Sequence, residues 1–178
     1  VLRAPGMLAL HLGLNEVAGP ARVRVWQDEV DAWDMGDVAA QWFSDFLGQP
    51  GLRLVRFDPE VTRLASRRWT GTLNAPVEFA DGFPLLLASQ ASLDGLNARL
   101  TAAGHAAVGI ERFRPNLLID GVEAHDEDRL GELHIATADG AAVVLRPVKP
   151  CARCAIPNVD PATGSASPEV LATLSAYR

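Results

Sequence analysis

The chain of 178 residues has only two cysteines, at positions 151 and 154. Two thiols at one locus argue against the disulfide framework of a small secreted domain and suit a reduced, cytoplasmic setting. Aromatic residues are scarce at 6%, so aliphatic side chains must fill most of any core. Basic residues are outnumbered, 16 against 22 acidic, for a net charge of −6, and no basic run stands out. That balance argues against a broad electrostatic footprint for nucleic acid. No stretch approaches the roughly 18 unbroken apolar residues of a membrane helix, and the first residues lack a signal-peptide pattern. An initiator methionine is missing before Val1-Leu2-Arg3, and Tyr177-Arg178 falls inside an expected helix, which reads as a fragment cut at both ends. Internal repeats and low-complexity tracts are also missing. What is present is a 48% apolar content, enough for one large domain or two small ones with a proper core.

The pattern predicts two halves. Met7 to Leu14 is an apolar run, and Ala21 to Trp26 alternates with the period of a half-buried strand. A turn at Gln27-Asp28-Glu29 and a strand over Val30 to Trp33 complete a hairpin. Asp37 can cap a helix running to Leu47, with Val38, Trp42, Phe43, Phe46 and Leu47 on one face and Gly48 and Pro50 at its end. Leu52 to Phe57 is a further strand, and Asp58 to Asp81 reads as a long surface loop near a domain boundary. The second half restarts with a strand over Phe83 to Ala88. Ser89 caps a helix carrying Leu93, Leu96 and Leu100, which Gly104 stops. Leu117 to Ile119 is a strand, Leu133 to Thr137 and Ala142 to Leu145 form a hairpin about Asp139-Gly140, and Ser167-Pro168-Glu169 starts a last helix.

The chemistry-bearing stretch is Lys149-Pro150-Cys151-Ala152-Arg153-Cys154, followed by Asp160-Pro161-Ala162-Thr163-Gly164. A cation beside a thiol favours the thiolate, and a soft thiolate suits a soft or high-valent metal better than magnesium or calcium. On spacing alone the two cysteines leave three other uses open. A zinc site needs two more ligands, and His125 and His134 lie at the wrong spacing for a finger. A thioredoxin-type pair sits at a helix N-terminus, which Pro157 and Asn158 discourage. Two inert buried cysteines are the third. Arg114 and Asn116 bracket Pro115, which favours extended backbone before it. An arginine fork can grip phosphate or a heterocycle and an asparagine amide can read a ring edge, although a surface arginine and a turn-capping asparagine fit as well. Glu111, Glu123, Asp126, Glu127 and Asp128 read as a solvated acidic face. Arg63, Arg67 and Arg68 read as solvated cations, and the four histidines as isolated. No nucleophile elbow supports a serine hydrolase.

Several stretches form an ordered series: Phe79 to Pro84, Ser89 to Leu93, Arg112 to Leu117, Glu127-Asp128, Lys149 to Cys154 and Val159 to Gly164. Together, in this order and spacing, they resemble the MOSC family, the molybdenum-cofactor sulfurase C-terminal domains. The nearest likeness is to the amidoxime-reducing type, which joins a MOSC N-terminal β-barrel to a MOSC domain, and Met35-Gly36-Asp37 and Arg68-Trp69 match that preceding domain. The resemblance implies an α+β, mainly β fold. A partial MOSC N-terminal β-barrel-like domain over 1–78 would abut a partial MOSC barrel domain over 79–178. It implies a molybdenum–molybdopterin cofactor with Cys154 as the metal-ligating, catalytic thiolate. Asp81, Gly82, Phe83, Arg114, Asn116, Ala152 and Arg153 would line that cofactor, and Cys151 would be a neighbouring non-ligand. The implied activity is a molybdenum-dependent oxidoreductase that reduces N-hydroxylated compounds such as amidoximes, hydroxylamines and N-hydroxylated bases. Electrons would come from a flavin or iron–sulfur protein or fused domain. A non-catalytic carrier of sulfurated cofactor is the alternative. The family's phosphate-clasping N-terminal segment and its barrel-closing last strands have no counterpart here, in keeping with the fragment reading.

Overall fold

In the computed structural model, which describes residues 1–178, the alternating Gly19–Val25 segment forms β1 and half-buries every second side chain. It pairs antiparallel with β2 (Asp28–Asp34), Gly19 opposite Asp34 and Val25 opposite Asp28, and β3 (Val55–Phe57) adds to the other edge of β2. The chain divides into two units, Val1–Pro84 and Leu85–Arg178.

In the first unit, helix α1 (Asp37–Leu47) begins after Gly36 and ends on Gly48, whose φ of 63° is the left-handed cap that glycine adopts without strain. Ala39 and Ala40 are the buried residues of α1, while Val38 is 73% and Leu47 59% exposed, so the inward face differs from the expected one. The small alanines let the helix lie close to Leu10 and Met35. Trp42 fixes its rotation by donating from Nε1 to the Leu8 carbonyl at 2.8 Å. Arg53 bridges the hairpin and the helix, donating to both Asp34 oxygens at 2.7 Å and to Asp37 at 2.6 Å. The Met7 to Leu14 run forms no strand. It contributes one bridge, Leu2 to Leu10, and leaves Leu8 and Leu14 in solvent. The expected long loop after Asp58 is instead built: β4 (Arg63–Leu64) pairs with β5 (Pro76–Val77), a short helix α2 (Arg67–Thr70) lies between them, and Ala65 and Val77 are buried.

In the second unit, β6 (Leu87–Ser89) and β7 (Leu117–Ile119) pair in parallel, Leu87 opposite Leu117, with α3 (Gln90–Ala102) in the connection. Ser89 caps α3 by accepting from the Ser92 N–H at 3.1 Å. Leu93, Leu96 and Leu100 face inward, and α4 (Glu169–Tyr177) seats Val170 on the last two, with Val108, Phe113 and Leu174 around them. Each such fully buried aliphatic side chain contributes about 2 kcal/mol. The hairpin of β8 (Leu133–Ala136) and β9 (Ala142–Leu145) forms as the Asp139-Gly140 turn predicts. Nine strands thus accompany four α-helices, a mixed architecture. The strands form one three-stranded sheet and three two-stranded ladders, and none of them closes into a barrel. The reason is local: seven of the nine strands span only two to four residues and pair on one side. No helix is long and apolar enough to cross a membrane.

Candidate functional site

The cysteine loop follows β9 and leads into a 3₁₀ turn over Ile156–Asn158, which Pro157 opens in place of an α-helix. Both thiols are free and exposed. Their surroundings differ. The Arg153 Nη1 donates to Cys151 Sγ at 3.1 Å, and that thiol faces the Ala152 carbonyl at 3.6 Å. Cys154 has no hydrogen-bond partner. Arg153, although adjacent to Cys154 in the sequence, is therefore committed to Cys151. Its Nη2 donates to the Phe113 carbonyl at 3.1 Å, with the guanidinium 5.2 Å from the Phe113 ring centre, a cation–π contact that fixes its position.

Phe113 belongs to the second half of the site. A 3₁₀ turn over Ile110–Arg112 ends there, and Arg114 then takes a φ of 52°. The residue before Pro115 is thus left-handed, where proline's influence alone predicts extended backbone. The turn overrides it: the Arg114 N–H still reaches back to the Glu111 carbonyl at 3.2 Å. A non-glycine residue held in this region carries strain, and its exposed side chain has no partner in the structure. Asn116 accepts from the Leu86 N–H through Oδ1 at 2.9 Å, and its own N–H donates to the Leu86 carbonyl at 2.9 Å. Its side chain clamps the entry to the β6–β7 pair, leaving the amide nitrogen to donate elsewhere.

Arg112, which sequence reasoning passed over, joins the two loops a second time. It donates to the Asn158 carbonyl at 3.2 Å and pairs with Asp160 at 3.3 Å, its side chain only 12% exposed. Asp160 also orders its own turn by accepting from the Ala162 N–H at 2.8 Å. The sole advance signal was an arginine two positions before Arg114. Two guanidinium groups, Arg112 and Arg153, therefore brace the Arg114–Asn116 segment against the Cys154 loop.

The acidic stretch is not wholly a solvated face. Glu127 accepts from Ser92 at 2.6 Å and from the fully buried Ser89 at 2.8 Å. Burial pushes its carboxyl up, but those donors and the Arg178 charge outweigh burial and hold it below the usual glutamate value. Of the two histidines nearest the cysteines in sequence, His125 is held by Ser92 and Arg178, and His134 by Glu132.

Asp81, Gly82 and Phe83 lie in the first unit. Arg63, read from sequence as a solvated cation, shapes their turn. Its side chain is 10% exposed, pairs with Asp28 at 2.8 Å, and donates to the carbonyls of Glu78 at 2.8 Å, Ala80 at 2.7 Å and Asp81 at 3.4 Å. Asp81 Oδ1 accepts the indole N–H of Trp26 at 3.1 Å.

Nowhere do three or more His, Cys, Asp or Glu side chains gather into a metal-holding group. The two braced loops offer one open sulfur, an unpartnered arginine and a spare amide. Those residues fit an anionic organic group that arrives with its metal already coordinated, needing one soft ligand and cationic anchors.

A profile of the MOSC domain matches residues 74–178, and one of the MOSC N-terminal beta barrel domain matches residues 1–50. Mitochondrial amidoxime reducing component 2 of Bos taurus is 36% identical across the whole chain, which covers 52% of that protein. Mitochondrial amidoxime-reducing component 1 of Mus musculus is 37% identical over 87% of the chain and 44% of its own length. The human component 2 is 33% identical over the whole chain and 52% of its own length. The chain spans about half the length of the curated relatives it matches.

Proposed function

The chain belongs to the MOSC domain family, and from that premise we propose that it is a molybdenum cofactor-binding oxidoreductase acting on N-hydroxylated compounds, amidoximes, hydroxylamines and N-hydroxylated bases among them. The observation that carries the proposal is the Cys154 sulfur, exposed and unpartnered in a loop braced by two guanidinium groups. The reaction consumes an N–OH group, two electrons and two protons, and yields N–H and water. When bound, the cofactor supplies the two-electron chemistry, and the chain supplies its seat. Cys154 gives the soft ligand. Arg114, whose guanidinium makes no bond within the chain, grips the cofactor's phosphate or ring. The Asn116 amide nitrogen donates to a ring edge while its oxygen holds the backbone. Ala152 and Arg153 line the site mainly through backbone, since the Arg153 guanidinium is engaged by Cys151 and Phe113. For the Asp81-Gly82-Phe83 turn, a cofactor contact stands on the family resemblance alone.

Electrons reach the site from a flavin or iron–sulfur protein or fused domain, a reading supported by relatives that are named as components. The barrel plan of the family is proposed for each unit. The two reduced, exposed thiols suit a reducing compartment such as the cytoplasm.

Molybdenum per chain, measured by elemental mass spectrometry on protein from a cofactor-competent host, tests the proposal. About one molybdenum is expected in the native protein and in Cys151→Ser, and almost none in Cys154→Ser. Equal loading of Cys154→Ser, or an empty but folded native protein, would overturn it.

A further inference from the structure

The cysteine loop holds a second sulfur that the proposed cofactor seat leaves unused. Cys151 is free and exposed three positions before Cys154, which is free and exposed as well. Only one of the two thiols is attended. Arg153 Nη1 donates to Cys151 Sγ at 3.1 Å, and the same guanidinium is held in place by the Phe113 carbonyl and ring. A guanidinium N–H on sulfur favours negative charge there, the form in which sulfur attacks. The main chain of residues 151–154 lies in no strand or helix and makes no backbone-to-backbone hydrogen bond. Three peptide units keep the two Cα atoms within about 10 Å of each other in any conformation. Tightening an unladdered loop of that length brings them to the roughly 4.4 to 6.8 Å that a disulfide requires.

An arginine-backed sulfur, a free second thiol on the same short loop and a main chain with no ladder to break describe a thiol–disulfide couple. We infer that Cys151 and Cys154 form one, that Cys151 is the entry point for a small soluble disulfide such as glutathione disulfide, and that closing the couple withholds the Cys154 sulfur from the cofactor. The exchange balances with no other reactant. The Cys151 thiolate attacks one sulfur of glutathione disulfide, forms a mixed disulfide and expels one glutathione thiolate. The Cys154 thiolate then attacks Cys151 Sγ, forms the Cys151–Cys154 bond and expels the second. The protein's sulfurs lose two electrons, glutathione disulfide gains them, and the two thiol protons end on the released glutathiones. Exposed disulfides are among the readily reduced ones, so excess glutathione reverses both steps. The effect on loading rests on the proposed cofactor site, whereas the couple itself does not.

The test incubates the cofactor-free chain with glutathione disulfide, quenches by alkylation and reads the product by mass spectrometry. The native chain should lose two hydrogens and keep no thiol open to alkylation. Cys154→Ser should stall with one glutathione on Cys151. Cys151→Ser and Arg153→Gln should each react about tenfold more slowly, the scale of one hydrogen bond to a charged group. Both serine changes fall on exposed positions and replace one small side chain by another, so those variants keep their fold. Holoprotein from a cofactor-competent host is the second arm. It should stop at one glutathione on Cys151 and keep its molybdenum, because Cys154 is already taken. A rate in Cys151→Ser or Arg153→Gln equal to the native one would overturn the couple, as would a native cofactor-free chain that stops with glutathione attached. Holoprotein that closes the disulfide with its molybdenum retained would overturn the link to loading. Closure in a native chain that takes up no molybdenum when reduced would uphold the couple and sink the cofactor reading instead.

Discussion

Arg114 shows how much a single backbone angle can carry. Its φ of 52° stores strain that nothing in the chain's own packing uses, since the side chain is exposed and unpartnered. Arg114→Gly removes the strain and the guanidinium together. The cofactor-free chain should gain stability, by about 1 kcal/mol in urea unfolding, while molybdenum retention drops. A loss of stability would instead make Arg114 a brace of the fold. The Arg-Pro-Asn series stands out in the sequence. The conformation of Arg114 was not legible there: the rule for residues before proline predicts extended backbone, and the preceding 3₁₀ turn wins. The partner of Arg153 is likewise set by distant residues. Adjacency in sequence put it beside Cys154, but the Phe113 carbonyl and ring, 40 positions away, draw it toward Cys151.

Among elements, those with strong local signals matched expectation. Ser89 caps α3, Leu93, Leu96 and Leu100 face the core, and Asp139-Gly140 turns the β8–β9 hairpin, because capping, helical period and turn chemistry are all encoded within a few residues. Elements settled by distant partners were missed. The β4–β5 ladder is four residues in total and has no periodicity to read, and α1 buries its alanines because Trp42 is tied to Leu8. The brace between the two site loops belongs to this second kind. Arg112→Gln should cost about 2 kcal/mol, discounted from a fully buried pair because Asp160 is partly exposed, and should lower molybdenum content. Arg112→Lys, which keeps the charge but not the fork, should recover stability more than loading. Equal recovery of both would reduce Arg112 to a purely structural role.

Taken as a whole, the molecule is set against acid. Asp34, Glu127, Glu132, Asp139 and Glu169 are all held below their ordinary values. Hydrogen bonds do this for Asp34 from Arg53, for Glu132 from Arg146, for Asp139 from Thr137 and for Glu169 from backbone; in Glu127 they prevail over burial. Each binds its proton less readily folded than unfolded, so its contribution is complete above the ordinary carboxylate range and fades as pH falls through it toward the folded value. Urea midpoints followed by circular dichroism should therefore hold near neutrality and decline below about pH 4.5. Ser92→Ala should shrink the decline. A midpoint that rises on acidification would contradict the assignment. The two arginine ties described above also have a bearing on time. Arg112 and Asp160 are 48 positions apart, with β7 and the β8–β9 hairpin between them. Closing so long a segment waits on the packing of α3 against α4, so the cradle around Cys154 is among the last parts of its unit to form. Folding comes first and loading second: a half-made chain has nothing with which to capture a cofactor.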